Sequence, residues 1–417
     1  MKLAHDARRF QQLPIAVRLL LITQMLFNVG FYLVVPFLAT YMTENLAATG
    51  AMVGLVLGLR TFSQQGLFFL GGGLTDRFGV KPVLLTGVAI RVVGFIAAGV
   101  ATTTLQLMVA VVLIGFAAAL FSPAAEASFA VAGAQVEREG IMRRSELFAM
   151  DAYFSRIGAL TGPLLGAALI TAGFQITCFV AAGIFAFLWI SHLVLVPAVR
   201  TEASTSVLGG FQEVLKNKTF LLFALGYSTG LVSYNQQYLA LPVELERATG
   251  TQGALGWMFV FSSVLVLGLQ MPLTRYAQRL GVRRAVAAGF GLMAISFAVV
   301  ALAAPLKPLP GWWALTPAVV MLVCLHVGQM IAVPISRDLV GVIAAEKNLG
   351  SYFGFLNSFG GLAVLISSLF IGALLDHAYE PQPSAAVPWL ALTLLLAASA
   401  IMLPRVAHTA PSAKIAT

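Results

Sequence analysis

The stretch "GGGLTDRFGVKP", Gly71 to Pro82, decides how this chain is read. It gathers Asp76, Arg77 and Lys81 beside glycines, in a chain of 417 residues that is 59% hydrophobic and only 10% charged. A soluble domain carries about 25% charged residues, so water is not the solvent of most of this chain. Charge-free runs surround the stretch, among them residues 19–43, 92–125, 157–199 and 348–375. Such runs exceed the roughly 20 residues that cross a bilayer as a helix. They are built from Leu, Ala, Val, Phe and Gly without the alternation of a barrel strand, and in hydrocarbon a helix satisfies its backbone amides within its own segment. The expected fold class is an all-α polytopic membrane protein, and Gly71 to Pro82 is one of its solvent-facing turns.

Working outward from that turn, spans are expected at about 15–42, 49–74, 81–101, 104–131, 146–171, 174–197, 218–243, 252–276, 284–304, 313–336, 349–376 and 385–404, twelve in all. Basic residues precede the first apolar run, but it lacks a small-residue cleavage site and is read as a retained span rather than a signal peptide. With the N-terminus cytoplasmic, 20 of the 25 Lys and Arg fall in inner segments, two in outer loops (Arg247, Lys307) and three within spans (Arg60, Arg91, Arg156). This bias places both termini in the cytoplasm. It also accounts for the net charge of +9 as topology rather than nucleic-acid binding.

The polar stretch at 198–217 is read as a cytoplasmic linker between an N-terminal six-helix half (1–197) and a C-terminal one (218–404), with a cytoplasmic tail at 405–417. A weak internal repeat supports the division: "DRFGVK" at Asp76–Lys81 returns 202 residues later as "QRLGVR" at Gln278–Arg283. Two six-span repeats imply a transporter with its site at mid-bilayer between them. Cys178 and Cys324 lie in apolar runs, form no disulfide framework and have no metal-ligand spacing, so neither a metal nor a cofactor is expected.

The pattern Gly72-x-Leu74-x-Asp76-Arg77-x-Gly79-x-Lys81 resembles the loop signature of the major facilitator superfamily, with Val80 where a basic residue is usual. The resemblance covers about residues 15–404 and looks most like the bacterial twelve-span multidrug-efflux branch. It implies that Gly72, Asp76, Arg77, Gly79 and Lys81 form a gating loop. A second stretch, "GALTGPLLGA" from Gly158 to Ala167, resembles the signature of proton-exchanging exporters through Gly158, Gly162, Pro163 and Gly166. Glycines four apart let helices approach closely, and proline removes a backbone hydrogen bond. The arginine usual in span four of drug exporters is absent, since Val111 stands four residues before Gly115.

Ionisable groups inside spans cost several kcal/mol and are functional candidates. Glu126 and Asp151 lie at similar depth in adjacent spans and, with His326, are the candidates for proton coupling. Arg156 and Arg60 lie near mid-span and, with Gln24, Asn28, Tyr32, Tyr234, Asn235 and Gln236, are the candidate substrate cavity; Arg91 reads as a brace between helices. No nucleotide-binding glycine loop is present. The expected function is therefore a monomeric, proton-driven exporter of amphiphilic small molecules in the bacterial inner membrane. The alternatives are a dedicated exporter of an anionic metabolite, such as a carboxylate siderophore, and, from another class, a membrane-embedded enzyme.

Overall fold

The computed structural model describes residues 10–141, 144–195, 214–344 and 349–409. Most of the expected linker, the end of the tail, Arg143 and the side chains of Asp76, Glu126, Arg144 and Asp338 lie outside the described residues. Among the described residues there are helices and turns and no strand.

Eleven helical stretches among them are long and apolar enough to cross a membrane. Spans one to six are Ile15–Leu46, Gly50–Thr75, Val80–Val100, Thr104–Ala125, Met150–Ile170 and Phe174–Leu195. Spans eight to twelve are Leu255–Leu280, Val282–Ala303, Gly311–Arg337, Tyr352–Leu375 and Pro383–Val406. Span seven is the helix Lys218–Thr249, which at 32 residues has the length but is more polar. Its Ser228, Thr229, Ser233, Asn235, Gln236 and Gln237 are all buried, so this polarity is spent on neighbouring helices rather than on lipid.

Two spans are interrupted. Span one changes to a 3-10 turn at Val35–Phe37, where Pro36 supplies no backbone N–H to the ladder. Span two widens to a π-helical turn at Phe62–Gly66. Ser358 from span eleven donates to the Gly66 carbonyl oxygen at 3.0 Å, satisfying a backbone group at the edge of the irregular turn.

The sequence repeat is a structural repeat. Gly79, between spans two and three, has φ 84° and ψ 165°, and Gly281, between spans eight and nine, has φ 76° and ψ 156°. Each glycine ends one helix and begins the next in a left-handed conformation that a side chain would strain.

The described residues form two compact units. The first holds the chain up to Phe37 and from Leu67 onward; the second holds Leu38–Gly66 and the chain from 214 onward. The hairpin joining spans one and two therefore packs with the second unit, although it belongs in sequence to the first six spans. In the first unit, span three lies on span four through Gly87 and Gly94, and Phe27, Phe95, Phe121 and Phe185 stack in its core. Arg91, 1% exposed, sits inside this stack with its guanidinium 3.7 Å from the Phe27 ring centroid and 4.8 Å from that of Phe185. That is the brace expected of it, a desolvated cation on aromatic faces. In the second unit, Gly289 and Gly328 bring spans nine and ten together, and Phe297 stacks on Trp389 of span twelve.

Candidate functional site

In the first unit the glycines of "GALTGPLLGA" all face span one. A Cβ at Gly158 would lie 2.2 Å from the Met25 carbonyl oxygen, at Gly162 2.6 Å from the Tyr32 Cβ, and at Gly166 2.6 Å from the Phe37 ring. The stripe thus sets the distance between spans one and five, and Pro163 lies inside the same helix. One turn from the stripe, Asn28 donates to Ser155 Oγ at 2.9 Å and to the Gln24 carbonyl oxygen at 2.8 Å. Gln24, Asn28 and Tyr32 are partly buried along this seam, whereas Arg156 is exposed on span five and Asp151 is partly buried five residues earlier. Thr23, buried on span one, lies 3.3 Å from His192 Nε2 of span six, a pair that the sequence gives no reason to join.

The expected gating loop has uneven roles. Gly71, not Gly72, makes the close approach: a Cβ at Gly71 would lie 2.0 Å from the Ala119 carbonyl oxygen on span four, while one at Gly72 would meet open space. Lys81 donates to the Leu193 carbonyl oxygen at 2.9 Å, holding the start of span three to the end of span six. Arg77 is exposed, 5.3 Å from the Phe78 ring centroid.

The second unit holds the other candidates, and Arg60 lies beside the π-helical turn. Arg60, only 5% exposed, donates to Thr61 Oγ1 at 3.0 Å and Gln64 Oε1 at 3.3 Å, with Tyr238 of span seven 5.9 Å from its guanidinium carbon. Thr61 donates to Asn235 Oδ1 at 3.2 Å, and Asn235 donates to Ser368 Oγ at 3.0 Å. A buried polar chain thus runs from span two through span seven to span eleven. Gln236, fully buried, donates to the Val232 carbonyl oxygen. The Tyr234 ring stands 6.5 Å from that of His326, which is buried on span ten.

Some elements of this arrangement lie outside the candidates named from sequence. Gly50, Gly54 and Gly58 form a stripe on span two against Gly372, Ser368 and Leu365 of span eleven. Their four-residue spacing was the available signal. The buried ion pair of Glu244 and Arg247, joined by two bonds of 2.8 Å, could be read only as two charges near a span end. The π-helical turn has no sequence signature.

A bundle of apolar helices with paired glycine turns, buried polar chains and a deeply placed cation defines a multi-pass membrane transporter. The Major Facilitator Superfamily profile matches residues 20–243 and again 228–416. The chain belongs to the major facilitator superfamily, and its fold is the twelve-helix arrangement of two six-helix halves. It is 34% identical over 373 residues to an MFS-type transporter of Mycobacterium tuberculosis, covering 87% of this chain and 86% of that protein. To the multidrug resistance protein MdtH of Aeromonas hydrophila it is 31% identical over 400 residues, covering 94% and 96%. Among solved structures, the nucleoside transporter NupG superposes with a TM-score of 0.74 at 17% identity, covering 94% of this chain and 99% of that one, and this likeness speaks to fold alone.

Proposed function

We propose that the chain is a proton-coupled exporter of amphiphilic small molecules in the bacterial inner membrane, monomeric, with both termini and the linker at 198–217 cytoplasmic. The observation that carries this reading is the seating of Gly158, Gly162 and Gly166 on span one, with Pro163 in the same helix. A glycine stripe beside a proline lets span five tilt and slide on span one without losing side-chain interlock, the freedom an alternating-access half requires. Similarity to MdtH along nearly the whole chain supports export of drug-like compounds.

Protons and substrate must bias the same equilibrium, since coupling needs differential binding to two states. Asp151 on span five, Glu126 on span four and His326 on span ten are the proton carriers in this reading; Asn28, Tyr32 and Arg156 line the path in the first unit and Arg60 and Tyr234 in the second. Gradient-driven substrate accumulation in proteoliposomes, compared among wild type, Asp151→Asn and Glu126→Gln, tests the coupling. Loss of accumulation with retained substrate binding is the expected result; full accumulation by both variants would move coupling to the C-terminal half, with His326 the next residue to replace.

A second reading, export of an anionic metabolite, is favoured by one observation, the buried Arg60 set among hydrogen-bonding side chains. A guanidinium held this way matches carboxylates. Preferential, Arg60-dependent binding of anions from a mixed ligand panel would select it over the first.

A further inference from the structure

The two interruptions, Val35–Phe37 in span one and Phe62–Gly66 in span two, coincide with the places where the chain passes from one compact unit to the other. Between them runs a hairpin: the helix Leu38–Leu46, a tight turn in which Ala47 takes φ 48°, and the helix Gly50–Thr61. Besides the Thr61–Asn235 and Ser358–Gly66 bonds at its Phe62–Gly66 end, this hairpin is held to the rest of the second unit in three ways. Its glycine stripe lies on span eleven, where a Cβ at Gly50 or Gly54 would come within 2.2 Å or 1.9 Å of a backbone oxygen. Asp376, just past the end of span eleven, accepts from the Gly50 backbone N–H at 2.5 Å. Thr40 hydrogen-bonds to Gln252 Oε1, and Gln252 donates through Nε2 to Glu246 at 2.6 Å. A small cavity lined by Thr43, Val53, Pro242, Gln252 and Tyr379 opens beside these contacts.

The three contacts differ chemically. A glycine stripe adheres through dispersion alone and releases by sliding, without breaking a directional bond. The Asp376 contact is directional and charged: a carboxylate placed where a helix leaves its first N–H groups unpaired and its dipole positive. Gly50 is buried, yet Asp376 is exposed, so this carboxylate meets the water at this end of the spans.

We propose that the hairpin Leu38–Gly66 is a hinged gate, with Val35–Phe37 and Phe62–Gly66 as its hinges, the Asp376 carboxylate as its principal latch and the Thr40–Gln252–Glu246 relay as a second. The proposal rests on the cytoplasmic placement of the termini given above, which puts the gate on the outer side. Protonating Asp376 removes negative charge from the helix N-terminus and weakens the acceptor, so acidity outside favours opening. The other titratable groups at this place are Tyr379 in the following loop and Glu246 on span seven. Burial, with the negative charges of Glu246 and Asp376, pushes the Tyr379 phenol up to about 12, so it stays neutral as the gate works. Tyr41 and Glu44 lie on the first helix of the hairpin, His377 and Glu380 flank Tyr379 in sequence, and the second helix carries no titratable group before Arg60.

Val53, buried beside the cavity, reports the gate. With Cys178 and Cys324 replaced by Ala, Val53→Cys is labelled by a membrane-impermeant maleimide added outside right-side-out spheroplasts, each rate divided by that of the exposed Asn45→Cys. Adding Asp376→Asn, which removes the charge but keeps an acceptor oxygen, should raise the rate about five- to tenfold, the scale of a carboxylate's charge at a helix N-terminus or of one ordinary hydrogen bond. It should also abolish the rise in normalised rate expected at acidic outer pH when Asp376 is present. Gln252→Ala, which leaves Asp376 intact, should give a smaller increase and keep the pH response. Wild-type rates and pH response in Asp376→Asn, at normal surface amounts, overturn the latch. Should that variant fail to reach the surface, an unchanged rate in Gln252→Ala and a flat pH response in the parent overturn it equally. Labelling seen only in inverted vesicles would overturn the outward direction of the gate. No substrate enters this assay, so a negative result counts against the gate and leaves the export reading to its own test.

Discussion

Replacing Gly158 by alanine adds one methyl group where spans one and five are closest. The new Cβ would start 2.2 Å from the Met25 carbonyl oxygen and 2.8 Å from the Asn28 Cβ. Bringing the first contact to the roughly 3.0 Å that real Cβ atoms tolerate takes a separation of about 0.8 Å, and the Met25 carbonyl is backbone, which has no rotamer to change. Alanine is favoured over glycine in a helix by about 1 kcal/mol. Overpacking costs about 1–3 kcal/mol, and parting the helices also loosens the contacts at Gly162 and Gly166 along the same seam. The expected net effect is a loss of about 1–2 kcal/mol, read as a lower melting temperature in detergent together with reduced transport per folded molecule. The matched control is Gly183→Ala on span six, where an added Cβ meets nothing within 4 Å. That variant should melt at or slightly above the wild-type temperature. If Gly158→Ala behaves like Gly183→Ala in both stability and transport, the stripe does not set the distance between spans one and five, and the reasoning fails.

Two further predictions concern buried charge. Glu244→Gln leaves Arg247 without its counter-charge in a setting where the two side chains are 0% and 2% exposed, and should cost about 3–5 kcal/mol in thermal or denaturant unfolding. Adding Arg247→Met should recover most of that loss, and wild-type stability in Glu244→Gln would deny the pair its structural role. Arg91→Met keeps the volume but removes the cation from its aromatic enclosure, which should lower stability by about 2 kcal/mol. Transport per folded molecule should be unchanged, and its loss in well-folded Arg91→Met would place Arg91 in the transport path.

Much of the fold was legible because hydrocarbon is an unforgiving solvent. It demands apolar runs of fixed length, so the runs around Gly71–Pro82 reveal spans, and the +9 charge distributed at their ends suggests their orientation. A left-handed turn demands glycine, so "DRFGVK" and "QRLGVR" announced two turns that prove to share one backbone conformation at Gly79 and Gly281. The exporter-like glycines could be named as a packing stripe from their spacing alone. What spacing could not supply is the partner: that Gly158, Gly162 and Gly166 meet span one is a fact of three dimensions.

The polar residues show the same division more sharply. The sequence marks Arg60 and Asn235 as unusual because each is polar in an apolar span, but side-chain type does not state direction. Tertiary packing turns Asn235 into a bridge between Thr61 and Ser368, and brings Asp376 to a helix N-terminus 326 residues earlier in the chain. The sequence therefore determined the solvent, the spans and the repeat, each of which answers to a local rule of length, charge or backbone angle. The tertiary structure alone decided which unit takes the Leu38–Gly66 hairpin and which polar atoms meet, because those depend on helices packing face to face across hundreds of residues, where periodicity along the chain carries no information.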